Sequence, residues 1–181
     1  MSAYYHIVDS PLGPMFIGGS AAGLHRIDFI DSPDGRRSEA GYLVRLVKEA
    51  GGAPSRDAKA AARAAEQLAE YFAGRRTRFD LPLTPRGTAF QLAVWQALRG
   101  IPHGETASYG AIARAIGRPG AARAVGAAIG RNPLSVVVPC HRVVGADGTL
   151  TGYAGGLDRK ARLLDLEARP RREAPPSAAL A

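Results

Sequence analysis

Cysteine is nearly absent, since Cys140 is the only one among 181 residues. One thiol cannot form an internal disulfide or a multi-cysteine zinc site, which leaves a small buried residue or a reactive group. Long apolar runs are missing too: no stretch of about 18 apolar residues exists, which excludes a membrane-spanning helix. Residues 1–30 lack a basic start followed by an apolar block and cleavage site, so no secretory signal is expected and the cytoplasm is the expected address. Acidic residues are the scarcer charge, 16 against 24 basic, leaving a net of +8 and a sequence pI near 10.2. Such an excess favours a polyanionic partner. What remains is ordinary: 46% hydrophobic and 22% charged residues exclude a mainly disordered chain.

The charge is unevenly spread. Residues 1–80 carry 11 basic and 10 acidic side chains, a net of +1, whereas 81–181 carry 13 and 6, a net of +7. Arg169, Arg171 and Arg172 lie in a Pro- and Ala-rich tail, 168–181, that has no periodicity and is expected to be disordered. Without it, 81–167 still hold ten basic and five acidic groups. A polyanion-binding face and plain solvated charge explain this equally well until a motif decides.

Short strands are expected at Tyr4–Asp9 and Pro14–Gly18 around the turn Ser10-Pro11-Leu12-Gly13, with a third at Leu24–Ile30. Leu43, Leu46 and Val47 give helical spacing over Glu39–Glu49, and Ala58, Ala61, Ala65, Leu68 and Phe72 give a clearer stripe closed by Gly74. This half reads as a small α/β unit without a catalytic cluster; His6 and His25 read as structural or surface groups. The prolines and glycine of Leu81–Gly87 mark the expected linker. Beyond it, Thr88 can cap a helix bearing Phe90, Val94, Trp95 and Leu98, and Ser108 can cap Tyr109–Ile116. After Gly117-Arg118-Pro119-Gly120, a third helix covers Ala121–Gly130. Two short helices joined by such a turn fit a helix-turn-helix, a pattern that ordinary helical hairpins share. The third helix is almost bare, with small residues such as Ala122, Ala124 and Gly126, and Arg123 and Arg131 as its long polar side chains. That suits either close approach to a partner or tight helix packing.

Val136–Val138 reads as a short buried β-type run leading into Pro139-Cys140-His141-Arg142-Val143. A thiol of ordinary pKa, about 8.5, is only a few per cent ionised near neutrality and needs a base or a cation beside it. His141 is the candidate base. The carboxylate to orient it would come from Glu105, Asp147, Asp158, Asp165, Glu167 or Glu173, and spacing does not choose among them. For an isolated Cys-His pair, a buried cysteine beside a structural histidine is the simpler reading.

Five segments in fixed order change the balance: Ile101–Tyr109, Arg123-Ala124-Val125-Gly126, Asn132-Pro133, Pro139–Val143, and Gly152-Tyr153-Ala154-Gly155-Gly156. Together they resemble the O6-alkylguanine-DNA alkyltransferase family, from about Thr88 to Glu167. Residues 1–80 resemble that family's N-terminal domain only in outline. The resemblance implies a small N-terminal α/β domain (RNase H-like, 1–80), a linker (81–87), and a mainly helical domain with a helix-turn-helix (88–167). It implies direct reversal of damage in double-stranded DNA: the alkyl group of O6-alkylguanine moves to Cys140, with O4-alkylthymine a second candidate substrate. His141 would act as base through a water, Glu167 would orient it, and Tyr109 would donate a proton toward guanine N3. Lys160 matches a lysine near the active site, and Asn132 one that ties the helix-turn-helix to the cysteine segment. The target atom is unreachable in a stacked duplex, so the nucleotide must be flipped out, with Arg123 filling its place. Ser108, Tyr109, Ala122, Ala124 and Gly126 would face the minor groove, and Arg131 and Arg118 would meet phosphates. Val143, Tyr153, Ala154 and Trp95 would form the base pocket. No cofactor, metal, membrane or obligate protein partner is implied, and a monomer is expected.

One departure stands out: Ala154 occupies a position where many relatives carry serine, which removes a hydroxyl and widens the pocket. Three rivals are weaker. A lesion-flagging binder of the alkyltransferase-like type lacks the cysteine; a cysteine hydrolase would leave the helix-turn-helix unexplained. A transcriptional regulator would need more base-reading side chains than the bare helix offers.

Overall fold

The structure, a computed structural model, describes residues 3–31, 37–50 and 52–169. Residues 31–37, which read as a loop in the sequence, and the tail expected over 168–181 fall mostly outside them.

The N-terminal half is a four-stranded sheet in the order β3-β2-β1-β4, built from β1 (Tyr4–Val8), β2 (Met15–Ser20), β3 (Gly23–Phe29) and the short β4 (Ser55–Arg56). β1/β2 and β2/β3 pair antiparallel, and β4 adds parallel to β1. Along β2 the pleat sends Met15 and Ile17 to one face and Phe16 to the other. On the Phe16 face lies α1 (Glu39–Ala50), burying Tyr42 and Leu46. On the opposite face, α2 (Ala58–Phe72) starts at Asp57, whose carboxylate accepts the Ala60 amide at 2.9 Å, and buries Ala61, Ala64, Leu68 and Tyr71. Sequence reading missed β4, a two-residue strand too short to carry a periodicity.

Helices dominate the rest. α3 (Ala89–Leu98) opens with a capping box, Thr88 accepting from the Gln91 amide while Gln91 accepts from that of Thr88. α4 (Tyr109–Ala115) is capped by Ser108, and α5 (Ala122–Ile129) packs against both α3 and α4. α6 (Leu157–Ala168) closes the described chain. A second, two-stranded sheet joins β5 (Ala107–Ser108) in parallel to β6 (Val143–Val144). Among the described residues, no helix is long and apolar enough to cross a membrane.

One core runs through both halves, from Met15, Phe29 and Tyr71 to Leu98, Val138 and Leu163. The junction is a covered sheet edge. The Leu24 amide donates to Pro82 O and the Thr84 amide to Leu24 O, both at 2.8 Å. Farther along β3, the Ile27 amide donates to Pro133 O at 2.9 Å and the Ser135 amide to Ile27 O at 2.7 Å. The outer edge of β3 therefore holds both the linker and the approach to Cys140, and neither edge group is left for another chain.

That approach is not the β-type run expected for Val136–Val138. The three valines are buried, but they form a turn: the Val138 amide donates to Leu134 O at 2.8 Å, and Val136 has φ 73°. A β-branched residue in the left-handed region costs on the order of 1–3 kcal/mol, so surrounding contacts must hold it there. Burial was legible from the apolar run; the backbone reversal was not.

Candidate functional site

The β5/β6 pairing is what assembles the site, because register Ala107↔Val143 and Ser108↔Val144 sets the start of α4 beside the segment that follows Cys140. Tyr109, the first residue of α4, reaches the 151–156 loop, its hydroxyl donating to Thr151 O at 3.4 Å and accepting from Thr151 Oγ1 at 3.2 Å. Helix α6 adds the third wall. Lys160, Leu163 and Glu167 recur at three- and four-residue spacing, and all three are buried on its inner face. Lys160 Nζ donates to Val143 O at 2.5 Å and Thr151 O at 2.6 Å, clasping the cysteine segment to the Tyr153 loop. Burial lowers its pKa.

Cys140 opens a short 3-10 turn and is 5% exposed. Desolvation by burial pushes its thiol up to about 11, and the hydrogen bond from Asn132 works the other way. Asn132 Nδ2 lies 3.2 Å from Sγ and 2.9 Å from Val138 O, while its Oδ1 accepts the Leu134 amide at 3.0 Å. This residue, just beyond α5, thus fastens that helix to the turn and touches the sulfur.

His141 is fully buried, and Nε2 meets Glu167 Oε1 at 2.9 Å. Desolvation lowers the histidine pKa, so the ring is neutral near pH 7. Desolvation alone would raise the Glu167 pKa, but hydrogen bonds from His141, Arg142 and Tyr71 outweigh it and hold the carboxyl far below the usual range. An ionised carboxylate only accepts, so Nε2 carries the ring proton and Nδ1 keeps its lone pair. Nδ1 is buried and has no hydrogen-bond partner among the described residues. The arrangement leaves Nδ1 able to accept a proton.

Glu167 has three further partners that the reading of the sequence did not name. Arg142 donates to both its oxygens, at 2.8 and 2.9 Å, and to Ile101 O at 2.6 Å. Tyr71, from the other half of the chain, donates at 2.6 Å, and the Gly104 amide at 3.3 Å. For Arg142 a signal existed, since an arginine inside an apolar motif needs a buried acid; for Tyr71 there was none. Asp28 is a second unforeseen member. Buried at the end of β3, it accepts Ser135 Oγ at 2.8 Å and Tyr42 OH at 2.7 Å and pairs with Arg37.

Between α4, α5 and the 151–154 loop lies an open, largely apolar groove of about 670 Å³, lined by Tyr109, Arg123, Gly126, Gly130, Gly145 and Thr151–Ala154. A Cβ at Gly126 would stand 3.6 Å from the Tyr109 ring, an ordinary contact, so the approach of α5 to Tyr109 does not depend on glycine there. Gly155 is needed by its neighbour, for a Cβ would come within 2.6 Å of the Tyr153 ring. Arg123 and Ala124 are exposed, Ala122 and Ser108 half-buried. Arg118 is exposed in the α4–α5 turn, and Arg131 is exposed at the far end of α5. Val143 is buried behind the site. Trp95 is not in this groove: its indole N–H donates to Ala128 O at 2.9 Å, and the ring is buried between α3 and α5. Ala128 O, in the last turn of α5, also accepts the Arg131 amide at 3.1 Å, so the indole N–H takes its second lone pair and is itself satisfied on burial, which holds Trp95 in the core.

Two family models match the chain. Residues 3–85 fit "6-O-methylguanine DNA methyltransferase, ribonuclease-like domain", and 89–169 fit "6-O-methylguanine DNA methyltransferase, DNA binding domain". A methylated-DNA–protein-cysteine methyltransferase of Mycolicibacterium paratuberculosis is 49% identical over 176 residues, 97% of each chain. One from Methanosarcina barkeri is 46% identical over 91% of this chain and 96% of its own. A crystal structure of Mycobacterium tuberculosis OGT in complex with DNA superposes with a TM-score of 0.78 at 46% identity, covering 91% of this chain and 92% of that one.

Proposed function

The chain belongs to the 6-O-methylguanine DNA methyltransferase family, and from that membership we propose how its own residues share the work. It is a methylated-DNA–protein-cysteine methyltransferase: it repairs DNA by moving the alkyl group of O6-alkylguanine onto its own cysteine, Cys140. The observation that carries this assignment to particular residues is the buried Glu167–His141 pair, which leaves Nδ1 as an unpartnered acceptor on the residue that follows Cys140, whose thiol burial keeps protonated.

His141 Nδ1, through one water, takes the thiol proton, and Glu167 stabilises the imidazolium. Sγ forms its bond to the alkyl carbon as the C–O6 bond breaks, and the electron pair stays with guanine. Tyr109 donates a proton to guanine N3, so the leaving group departs neutral; the imidazolium proton returns to Tyr109 through solvent. Asn132 and Lys160 position the sulfur and the Tyr153 loop. The product is a thioether with no carbonyl for water to attack, so each molecule transfers once.

α4 and α5 serve as a helix-turn-helix that docks in the minor groove, where the small residues Ala122, Ala124 and Gly126 allow backbone approach. Arg123 fills the space of the flipped nucleotide, and Arg118 and Arg131 meet phosphates. Tyr153, Ala154 and Val143 shape the base pocket. The working division is an RNase H-like unit over 1–80, a linker at 81–87 and the alkyl-transfer domain at 88–167. A reactive reduced thiol suits a reducing compartment, and the cytoplasm is the proposed address. The test is intact mass after incubation with duplex DNA containing O6-methylguanine. One methyl gained, at Cys140 and absent in Cys140→Ser, is expected; unchanged mass with retained DNA binding would overturn the assignment.

A further inference from the structure

We propose that the cavity behind Ala154 is a subsite for the far end of O6 substituents, and that it favours those ending in a carboxylate. This rests on the alkyl-transfer reading and adds a substrate class to it. Between β3 and α1 on one side and α3 and α5 on the other lies a cavity of about 620 Å³. Ala154 and Gly130 line both this cavity and the groove that holds Tyr109 and Arg123, so the two spaces meet there. Asn132, whose Nδ2 is 3.2 Å from Sγ, lines it as well. It therefore begins one side chain, that of Asn132, away from the sulfur, within reach of a chain hanging on the attacked carbon. The methyl of Ala154 offers no hydroxyl to narrow that passage.

The walls are strongly basic. Arg26, Arg37, Arg45, Arg86 and Arg131 face two acids, Asp28 and Glu49. Both acids are already engaged: Glu49 pairs with Arg26 at 2.7 Å, and Asp28 with Arg37. Among the described residues, Arg45, Arg86 and Arg131 have no carboxylate partner. A substituent that brought its own carboxylate would answer this excess; a neutral one would only displace water. The carboxylate takes no part in bond making. Sγ still binds the first carbon, C–O6 still breaks with its electron pair left on guanine, and guanine gains the proton that the thiol gave up.

A matched pair of lesions isolates the charge: duplexes carrying O6-(3-carboxypropyl)guanine and O6-(3-carbamoylpropyl)guanine. Their end groups are nearly equal in size and too far from the reacting carbon to alter its reactivity. Single-turnover transfer to Cys140 is measured for both and for O6-methylguanine, in the wild type and in an Arg45→Gln/Arg86→Gln double variant. Both arginines are exposed and outside the catalytic and DNA-contacting set. The carboxylate-to-amide rate ratio is expected to be roughly fivefold in the wild type, to shrink with added salt, and to fall toward unity in the variant, with methyl transfer unchanged. An equal ratio in both proteins overturns the proposal, as does methyl transfer without transfer of either propyl adduct. Failure of methyl transfer itself would instead remove the reading beneath it.

Discussion

Ionisation of the sole cysteine gives the sharpest check on the site, because every alkylation event on the chain's thiol reports on Cys140 alone. Burial raises that thiol to about 11, against about 8.5 for an exposed one. At pH 8 the folded protein then holds roughly one thiolate per thousand molecules, and the unfolded chain about one in four. A more basic thiolate is more nucleophilic, and a Brønsted slope of about 0.45 over this shift returns roughly tenfold. Iodoacetamide should therefore modify the folded protein about twentyfold more slowly at pH 8 from ionisation alone, before steric protection is counted. The decisive quantity is the pH profile. Intact-mass rates between pH 7 and 9.5 should climb tenfold per unit without levelling in the native protein, and level near pH 8.5 in urea. Transfer from DNA should behave differently, staying flat from pH 7 to 8.5. His141 is neutral there because burial holds its pKa below the usual 6.5 of an imidazole, and on the proposed mechanism it removes the proton in place. A plateau near pH 8.5 for native iodoacetamide modification would refute the whole account of a thiol kept protonated by burial.

Glu167→Gln leaves Arg142 buried without a counter-charge and should cost about 3–5 kcal/mol in urea unfolding; a loss below 1 kcal/mol would mean the pair is not tightly desolvated. Acid should weaken the wild type in two stages. His141, depressed below 6.5, lends stability that is complete above that pH and is lost as pH falls through its folded value; Glu167, depressed below 4.5, does the same from lower pH. A thermal midpoint that rises between pH 6.5 and 5 would contradict this sign, and Glu167→Gln should lack the second stage. Ser135→Ala removes the bond to Asp28 that helps hold the Val136 turn. About 1–2 kcal/mol of stability and a several-fold slower transfer at unchanged DNA affinity are expected, and wild-type transfer at saturating DNA would show the tie to be idle.

How far the sequence could be read depended on the range of the interaction. Thr88 and Ser108 announce their helices because capping is a contact across three residues, and both caps form. The pleat of β2 and the stripe of α2 were legible for the same reason. The carboxylate was harder. Six acids were available, and the resemblance, not spacing, pointed to Glu167; the Lys160/Leu163/Glu167 periodicity of α6 would have put both charged residues on one inward face. Tyr71 with Glu167 and Asp28 with Ser135 join residues about a hundred positions apart, 96 and 107, and no local pattern encodes them. The Val136 reversal failed for a related reason. A β-branched triplet prefers extended backbone, and only the edge of β3, gripping Pro133 and Ser135, overrides that preference.

Those long-range ties explain why a nucleophile can be stored in so unreactive a form. A thiol used once per molecule is wasted by any stray electrophile that reaches it, so an exposed, acidic cysteine would inactivate the repair pool without repairing anything. Burial reverses the usual design of a reactive cysteine. The proton stays on sulfur, the base is held neutral by its own burial, and the carboxylate that fixes the base is kept ionised by Arg142 and Tyr71. Each element alone is inert. On the proposed mechanism, reaction requires a substrate carbon delivered in line with Sγ and a water between sulfur and Nδ1, both of which arrive with a nucleotide that has left its stack. The strained turn, gripped from β3 by a domain carrying no catalytic group, sets where the sulfur meets that nucleotide. On that mechanism, selectivity for damaged DNA over free electrophiles would follow from geometry the N-terminal half maintains, and loosening that grip should raise iodoacetamide reactivity while lowering transfer from DNA.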